Sequence, residues 1–206
     1  YDYPDSVDAM HSNMEQLYIR KAPHMYGWDI MPRILSAGIW RDVTLVTHGA
    51  YSITDAHYRA FDVSEDAAGL HVRYRIDSPS LDWDRMRLRL VGVCGDSRFT
   101  TEVPIRFAAG SLNVHVAKPA LWWPRGYGEA ALYEVVLELL LDDDIVDSRT
   151  EQIGLREIVL ERTEITEPSA LGQFLFRVNG TPILVKGTNW VPLDAFHSRD
   201  EERLPQ

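Results

Sequence analysis

The chain has 206 residues, of which 45% are hydrophobic and 25% are charged, a composition typical of soluble globular proteins. Its formal net charge of −10 argues against a nucleic-acid partner, because a phosphate backbone is bound by clustered Lys and Arg. No apolar run approaches the roughly 18 residues of a membrane span, and the single cysteine, Cys94, excludes an internal disulfide, which leaves cytoplasmic, periplasmic and secreted locations open.

The first 47 residues carry weak signals of regular structure. Residues 1–15 are polar and acidic and are interpreted as a loop or as the remnant of a cut domain, whereas residues 17–25 predict a short strand. Val43, Leu45 and Thr47 alternate with their neighbours, and this alternation predicts another strand before the break at His48-Gly49.

A succession of short alternating segments follows, up to about residue 162. The segments show the alternation that is typical of half-buried strands, and polar turns separate them. The segments span residues 70–77, 85–90, 99–107, 112–116, 132–141 and 145–152. Pro104 predicts an edge strand or a bulge, and no segment shows a long helical period. We therefore predict an all-β fold, an immunoglobulin-like antiparallel β-sandwich held by apolar packing.

Two features of this region allow more than one interpretation. Trp122 and Trp123 stand on a loop that ends at Pro124, where two rings would suit a sugar-stacking platform. Packing is the favoured alternative, because neighbouring residues point to opposite faces and large aromatics dominate interfaces. Asp142-Asp143-Asp144 would suit a bound cation, but a solvated hairpin turn is the commoner explanation. The spacing of the histidines and the lone cysteine predicts no zinc site, and no nucleotide-binding motif indicates a cofactor.

Residues 174–196 contain the strongest local signals. Residues 174–178 alternate, and Asn179-Gly180 is the dipeptide best suited to a two-residue hairpin turn, because both positions tolerate positive φ. The apolar run at residues 183–185 is typical of a strand buried on both faces, as in a parallel sheet or a barrel. Since the chain ends soon after this run, we expect most of a further domain to be missing.

Three stretches resemble the family-two glycoside hydrolases, which include β-galactosidases, β-glucuronidases and β-mannosidases. The resemblance lies in residues 27–41, 121–133 and 174–196, although Ile30-Met31 replaces the more usual Trp-Gly. In the last stretch, Asn179-Gly180 and then Lys186-Gly187-Thr188-Asn189 are similar to the entry of the family's catalytic barrel. The continuation through Trp190, Pro192, Asp194 and Phe196 resembles the β-mannosidase branch.

The resemblance implies three parts of larger domains. Residues 1–47 would be the end of a sugar-binding jelly-roll domain, and residues 48–165 the immunoglobulin-like sandwich. Residues 166–206 would be a hairpin and the entry strand of a (β/α)8 barrel that is otherwise missing. The missing jelly roll and barrel are therefore expected partners, and apolar ends without them predict self-association of the chain.

The resemblance also implies a sugar pocket to which this chain contributes four residues. Trp28 and Asp29 would reach from the jelly roll into the pocket, and Asn189 and Trp190 would lie at its floor. A Trp ring can stack on the C–H face of a pyranose, and an adjacent carboxylate can accept hydrogen bonds from two hydroxyls. The alternatives are a buried Trp beside a turn Asp for the first pair, and a strand-end amide beside a core Trp for the second.

The catalytic groups of the family are two glutamates about 5 Å apart, an acid/base and a nucleophile, which together retain the anomeric configuration. The resemblance places both on later barrel strands, the first directly after an Asn, and no Asn-Glu dipeptide occurs in this chain. We therefore expect a fragment of a retaining exo-glycosidase for β-linked carbohydrate that holds no catalytic residue and is inactive alone. A stand-alone carbohydrate-binding sandwich and a purely structural connector are the alternatives.

Overall fold

The computed structural model describes residues 20–27, 32–80, 82–164, 167–169, 172–191 and 193–204. The chain forms two compact units. The sandwich unit comprises Thr47–Lys186, and the terminal unit combines Tyr1–Val46 with Gly187–Gln206. The division into a jelly-roll end, a sandwich and a barrel entry stays a prediction.

Seven strands of the sandwich unit form two antiparallel sheets. They are β1 (Ser52–Phe61), β2 (Ala67–Asp77), β3 (Met86–Cys94), β4 (Ser97–Pro104), β5 (Ala109–Ala117), β6 (Tyr133–Leu141) and β7 (Asp144–Ile153). One sheet has the order β1-β2-β5 and the other the order β4-β3-β6-β7. The chain thus crosses between layers after β2, after β4 and after β5, an arrangement typical of immunoglobulin-type domains. The predicted all-β sandwich is confirmed.

The core lies between the two sheets and follows from the alternation of apolar residues. In β2, Leu70, Val72 and Ile76 are buried. Arg73 and Arg75, which lie between Val72 and Ile76, face solvent. In β6, Tyr133 and Leu137 belong to the same buried cluster. Each such side chain contributes about 1.5–3 kcal/mol by leaving water. Because Cys94 is a free thiol, apolar packing and not a disulfide joins the sheets.

The acidic turn between β6 and β7 is a two-residue hairpin, as its sequence suggests. Asp142 and Asp143 have φ angles of 49° and 74°, the positive values that such a turn requires. The carboxylate of Asp142 pairs with Arg85, and that of Asp143 pairs with Arg87. Arg85, which directly precedes β3, and Arg87 within β3 therefore neutralise the first two charges of the turn.

Three further strands of the sandwich unit form a small separate sheet. They are β8 (Ile158–Arg162), β9 (Phe174–Val178) and β10 (Thr181–Ile183), in the antiparallel order β10-β9-β8. Asn179 and Gly180 join β9 to β10 with φ angles of 49° and 78°, which confirms the predicted hairpin. At residues 183–185, where a strand buried in a larger sheet is predicted, β10 ends at Ile183 and Leu184 is 70% exposed, so that strand stays a prediction.

Some strand predictions differ from the structure, because contacts between distant residues decide the conformation there. Strand β1 has no counterpart among the predicted strands, because its burial alternates only weakly. Residues 43–47 form no strand in the described structure, and Leu45 is 93% exposed. The described end of residues 17–25 forms a 3-10 turn at Pro23–Tyr26 instead of a strand. Pro104, by contrast, is the last residue of the edge strand β4, as expected.

The terminal unit has little regular structure in its described part. It contains the 3-10 turns Pro23–Tyr26 and His197–Arg199 and one helical turn, α1 (Asp200–Arg203). Ile39 and Val43 are 82% and 79% exposed, so an extended apolar stretch lies open to solvent. The predicted self-association rests on such surfaces and stays a prediction. In the described residues, no helix has the length and apolarity needed to cross a bilayer.

Candidate functional site

The candidate site is a cavity of about 360 Å³ inside the terminal unit. Its lining includes Met25 and Ser36 from the first part of the chain, together with Trp40. Phe196 and His197 from the last part close the other side. Because both ends of the sequence contribute, the cavity exists only when the two segments of the terminal unit are folded together.

Trp40 supplies the largest aromatic surface of this cavity. Its ring stacks on the imidazole of His197, with centroids 6.1 Å apart and an interplanar angle of 28°. The guanidinium of Arg41 lies 4.4 Å from the centre of the same indole, in cation–π contact. Trp40 still exposes 53% of its surface, which leaves part of the ring open to a ligand.

A second histidine adjoins the cavity. The rings of His24 and His197 meet edge to face with centroids 5.0 Å apart, and His197 Nδ1 lies 3.0 Å from Asp200 Oδ2. Removal of His24 from water lowers its pKa below the usual 6.5, His197 lowers it further, and Asp200 opposes the change. His24 is therefore neutral at neutral pH, and its ring is not a source of positive charge for a ligand.

Asp194 organises the segment that carries Phe196 and His197. Its side chain is 8% exposed and accepts a hydrogen bond from the backbone N–H of Phe196 at 2.9 Å. Arg199 and Arg203 approach its carboxylate at 3.2 and 3.0 Å. The N–H of Phe196 is the main cause of a lowered Asp194 pKa, and the two arginines add to it. Asp194 is thus ionised and fully occupied in holding the turn.

The predicted site residues are only partly placed by the structure. Trp28 and Asp29 lie outside the described residues. Asn189 and Trp190 are described, but neither lines the cavity beside Trp40 and His197. Trp190 is 69% exposed, and the roles of all four residues stay predictions.

Sequence patterns do not single out Trp40 or His197 as site residues. Trp40 belongs to the Gly38-Ile39-Trp40 motif of the family resemblance, which is the signal that could have identified it. His197 directly follows the mannosidase-like stretch and has no comparable signal, because its neighbours in the site are distant in sequence.

The paired tryptophans of the sandwich unit pack against glycines. A Cβ placed on Gly154 would lie 2.8 Å from the Trp122 side chain, and one on Gly128 would lie 2.7 Å from Trp123. The guanidinium of Arg156 lies 4.5 Å from the centre of the Trp122 ring. Both tryptophans are half-buried, which supports packing within the unit over a sugar-stacking platform.

Across the described residues, no group of three or more His, Cys, Asp or Glu side chains is arranged to hold a metal ion.

Comparison with known proteins gives concordant results. The profile of the family described as glycosyl hydrolases family 2 matches residues 51–156. Beta-mannosidase B of Aspergillus clavatus is 29% identical over 191 residues, 91% of this chain and 22% of that protein. Beta-mannosidase B of Aspergillus oryzae is 30% identical over 182 residues, 87% of this chain and 21% of that protein. This chain thus spans about a fifth of the length of these relatives.

Among solved structures, the beta-D-mannosidase from Dictyoglomus thermophilum superposes with a TM-score of 0.71 and 27% sequence identity. The superposition covers 87% of this chain and 22% of the mannosidase. Since the family profile matches residues 51–156 only, the likeness to this mannosidase extends well beyond the profile's segment.

Proposed function

Because the chain belongs to family 2 of the glycosyl hydrolases, we propose that it is the sandwich-bearing segment of a longer retaining exo-glycosidase that cleaves β-mannosides. The observation that carries this proposal is the likeness to the solved beta-D-mannosidase over 87% of the chain. The Aspergillus relatives named beta-mannosidase B support the same sugar independently. The jelly-roll and barrel domains of the longer enzyme are the partners that this segment would join.

The proposed chemistry places bond cleavage outside this chain. A retaining glycosidase needs an acid/base and a nucleophile, two carboxyl groups about 5 Å apart. The most buried carboxylate of the described terminal unit, Asp194, is held ionised by Arg199 and Arg203 and by the Phe196 N–H. An ionised carboxylate with its oxygens occupied cannot donate a proton to a leaving group. The chain would therefore serve substrate binding and domain connection.

Substrate recognition is assigned to Trp28, Asp29, Asn189 and Trp190. Burying a Trp is normally favourable, so the 69% exposure of Trp190 marks a ring with unused contact surface. A sugar stacked on that ring would cover it, and the neighbouring Asn189 amide offers both a donor and an acceptor for sugar hydroxyls.

The test is to express the complete product of the coding frame that contains these residues and to compare β-mannoside with β-galactoside hydrolysis. We expect a preference for the mannoside, with retention at the anomeric carbon, and no hydrolysis by the 206-residue chain alone. Trp190→Ala should lower kcat/KM about ten-fold, the size of an aromatic contact near 1.4 kcal/mol, whereas Trp190→Phe keeps a ring and should lose less.

Two results would overturn the proposal. One is a complete coding frame without an Asn-Glu dipeptide and a second glutamate. The other is glycosidase activity in the 206-residue chain itself. Saturable sugar binding by this chain that Trp122→Ala abolishes, with the fold intact, would instead favour a carbohydrate-binding module.

A further inference from the structure

The loop of residues 121–130, which carries Trp122 and Trp123 and is called the tryptophan loop below, is attached to the sandwich by backbone hydrogen bonds. The N–H of Trp122 donates to the carbonyl of Leu155 at 3.0 Å, and Leu121 forms a parallel bridge with Leu155. Within the loop, the N–H of Trp123 donates to the carbonyl of Glu129 at 2.8 Å. With both indoles packed on glycines as described above, the loop has a defined conformation and not an open one.

The same loop also holds the small sheet of β8, β9 and β10. Asn179 Nδ2 donates to the carbonyl of Trp122 at 3.1 Å, while Asn179 Oδ1 accepts the N–H of Glu157 at 3.0 Å. Further along, the hydroxyl of Tyr127 accepts the backbone N–H of Leu184 at 2.7 Å. Two side chains therefore connect the tryptophan loop to both ends of the strand β10.

Leu184 lies where the chain leaves the sandwich unit, so a hydrogen bond to its backbone restrains the path of the residues that follow. Strand β10 ends one residue earlier, and the sandwich unit ends at Lys186. The side chains of Leu184 and Val185 are 70% and 59% exposed, so packing holds this segment weakly. Its backbone is held instead by the hydrogen bond to Tyr127.

We propose that Tyr127 and Asn179 are positioning residues that fix β10, the last strand of the sandwich unit, to the tryptophan loop. Their two hydrogen bonds are called the latch below. The latch sets the direction in which the chain leaves β10, and Asn189 and Trp190 follow Lys186 by three and four residues in the sequence. The tryptophan loop thus acts on substrate binding through the backbone and not by touching sugar. This inference rests on the proposed function only for the role of Asn189 and Trp190.

The first test measures amide hydrogen exchange in the 206-residue chain. Tyr127→Phe removes one hydroxyl and should raise the exchange rate of the Leu184 amide by about five-fold or more, as expected for one lost hydrogen bond. Trypsin cleavage after Lys186 should rise in parallel. Tyr58→Phe is the matched control, because the Tyr58 hydroxyl is buried without a hydrogen-bond partner among the described residues.

Asn179 is tested with a pair of variants that both tolerate its positive φ of 49°. Asn179→Gly keeps the turn and removes both side-chain bonds, so the Glu157 amide should exchange faster. Asn179→Asp keeps the acceptor for Glu157 and removes the donor to Trp122, so the Glu157 amide should stay protected. Unchanged exchange of Leu184 in Tyr127→Phe, with the thermal midpoint preserved, would overturn the latch.

Enzyme kinetics give a second measurement, which distinguishes a failure of the latch from a failure of the proposed function. In the complete enzyme, Tyr127→Phe should lower kcat/KM for a β-mannoside while the sandwich keeps its thermal midpoint. A wild-type enzyme without mannosidase activity would refute the proposed function and leave the Leu184 exchange result standing. Normal kinetics in Tyr127→Phe, despite faster Leu184 exchange, would refute the positioning role.

Discussion

Removing the hydroxyl of Tyr133 is the most informative single change in the sandwich. Tyr133 is 0% exposed, and its ring centre lies 5.6 Å from that of Phe99. Its hydroxyl accepts the N–H of Ala120 at 2.8 Å and donates to Ser97 Oγ at 2.6 Å. Because Ala120 and Tyr133 stand at the two ends of the tryptophan loop, this hydroxyl closes the base of that loop.

The expected loss of unfolding free energy follows from the polar groups that lose their hydrogen-bond partner. Tyr133→Phe keeps the ring and removes one oxygen, which leaves the Ala120 N–H and the Ser97 hydroxyl without their partner. A net hydrogen bond is worth about 1 kcal/mol, and an orphaned buried donor costs about 1–3 kcal/mol, so we expect a loss of about 2–3 kcal/mol. For a chain of this size the midpoint should fall by about 4–12 °C.

Urea unfolding followed by circular dichroism measures this loss, and an unchanged m-value would show that the unfolded state is unaffected. Ser97→Ala is the control, because it removes one partner while the Tyr133 hydroxyl still accepts from Ala120. It should cost about 1 kcal/mol. A loss below about 0.5 kcal/mol for Tyr133→Phe, or equal losses for the two variants, would refute the reasoning.

Two further predictions concern packing and pH. A Cβ on Gly92 would overlap the ring of its cross-strand partner Phe99, which is 7% exposed, so Gly92→Ala should cost about 1–3 kcal/mol of unfolding free energy. Gly49→Ala, where a Cβ meets only ordinary contact, should be nearly neutral, and equal effects would contradict the packing argument. Burial and the neighbouring His197 lower the pKa of His24 in the folded state, so the unfolded chain binds more protons at this residue below pH 6.5, and stability should fall as the pH drops through this range. His24→Gln should flatten that decline in thermal scans, and an identical pH profile would exclude His24 as its cause.

Local sequence patterns were sufficient to predict those strands and turns whose conformation depends on neighbouring residues. The alternation in β2 and β6 places their apolar residues in one core, Asn179-Gly180 forms the two-residue turn that its tolerance of positive φ predicts, and the acidic run after β6 forms the predicted hairpin turn. They were insufficient at residues 43–47, where an alternating run has no neighbouring strand among the described residues. A strand is defined by its partner, and alternation alone does not supply one.

The amino-acid sequence by itself determined the all-β class, the hairpin turns and the family, because periodicity, turn chemistry and motifs can be read along a short stretch. Tertiary structure alone decided what the tryptophans do and which residues surround the cavity. The bonds of Asn179 to Trp122 and of Leu184 to Tyr127 each join residues 57 positions apart. Contacts over that distance arise from the way the sheets pack, and no local pattern encodes them.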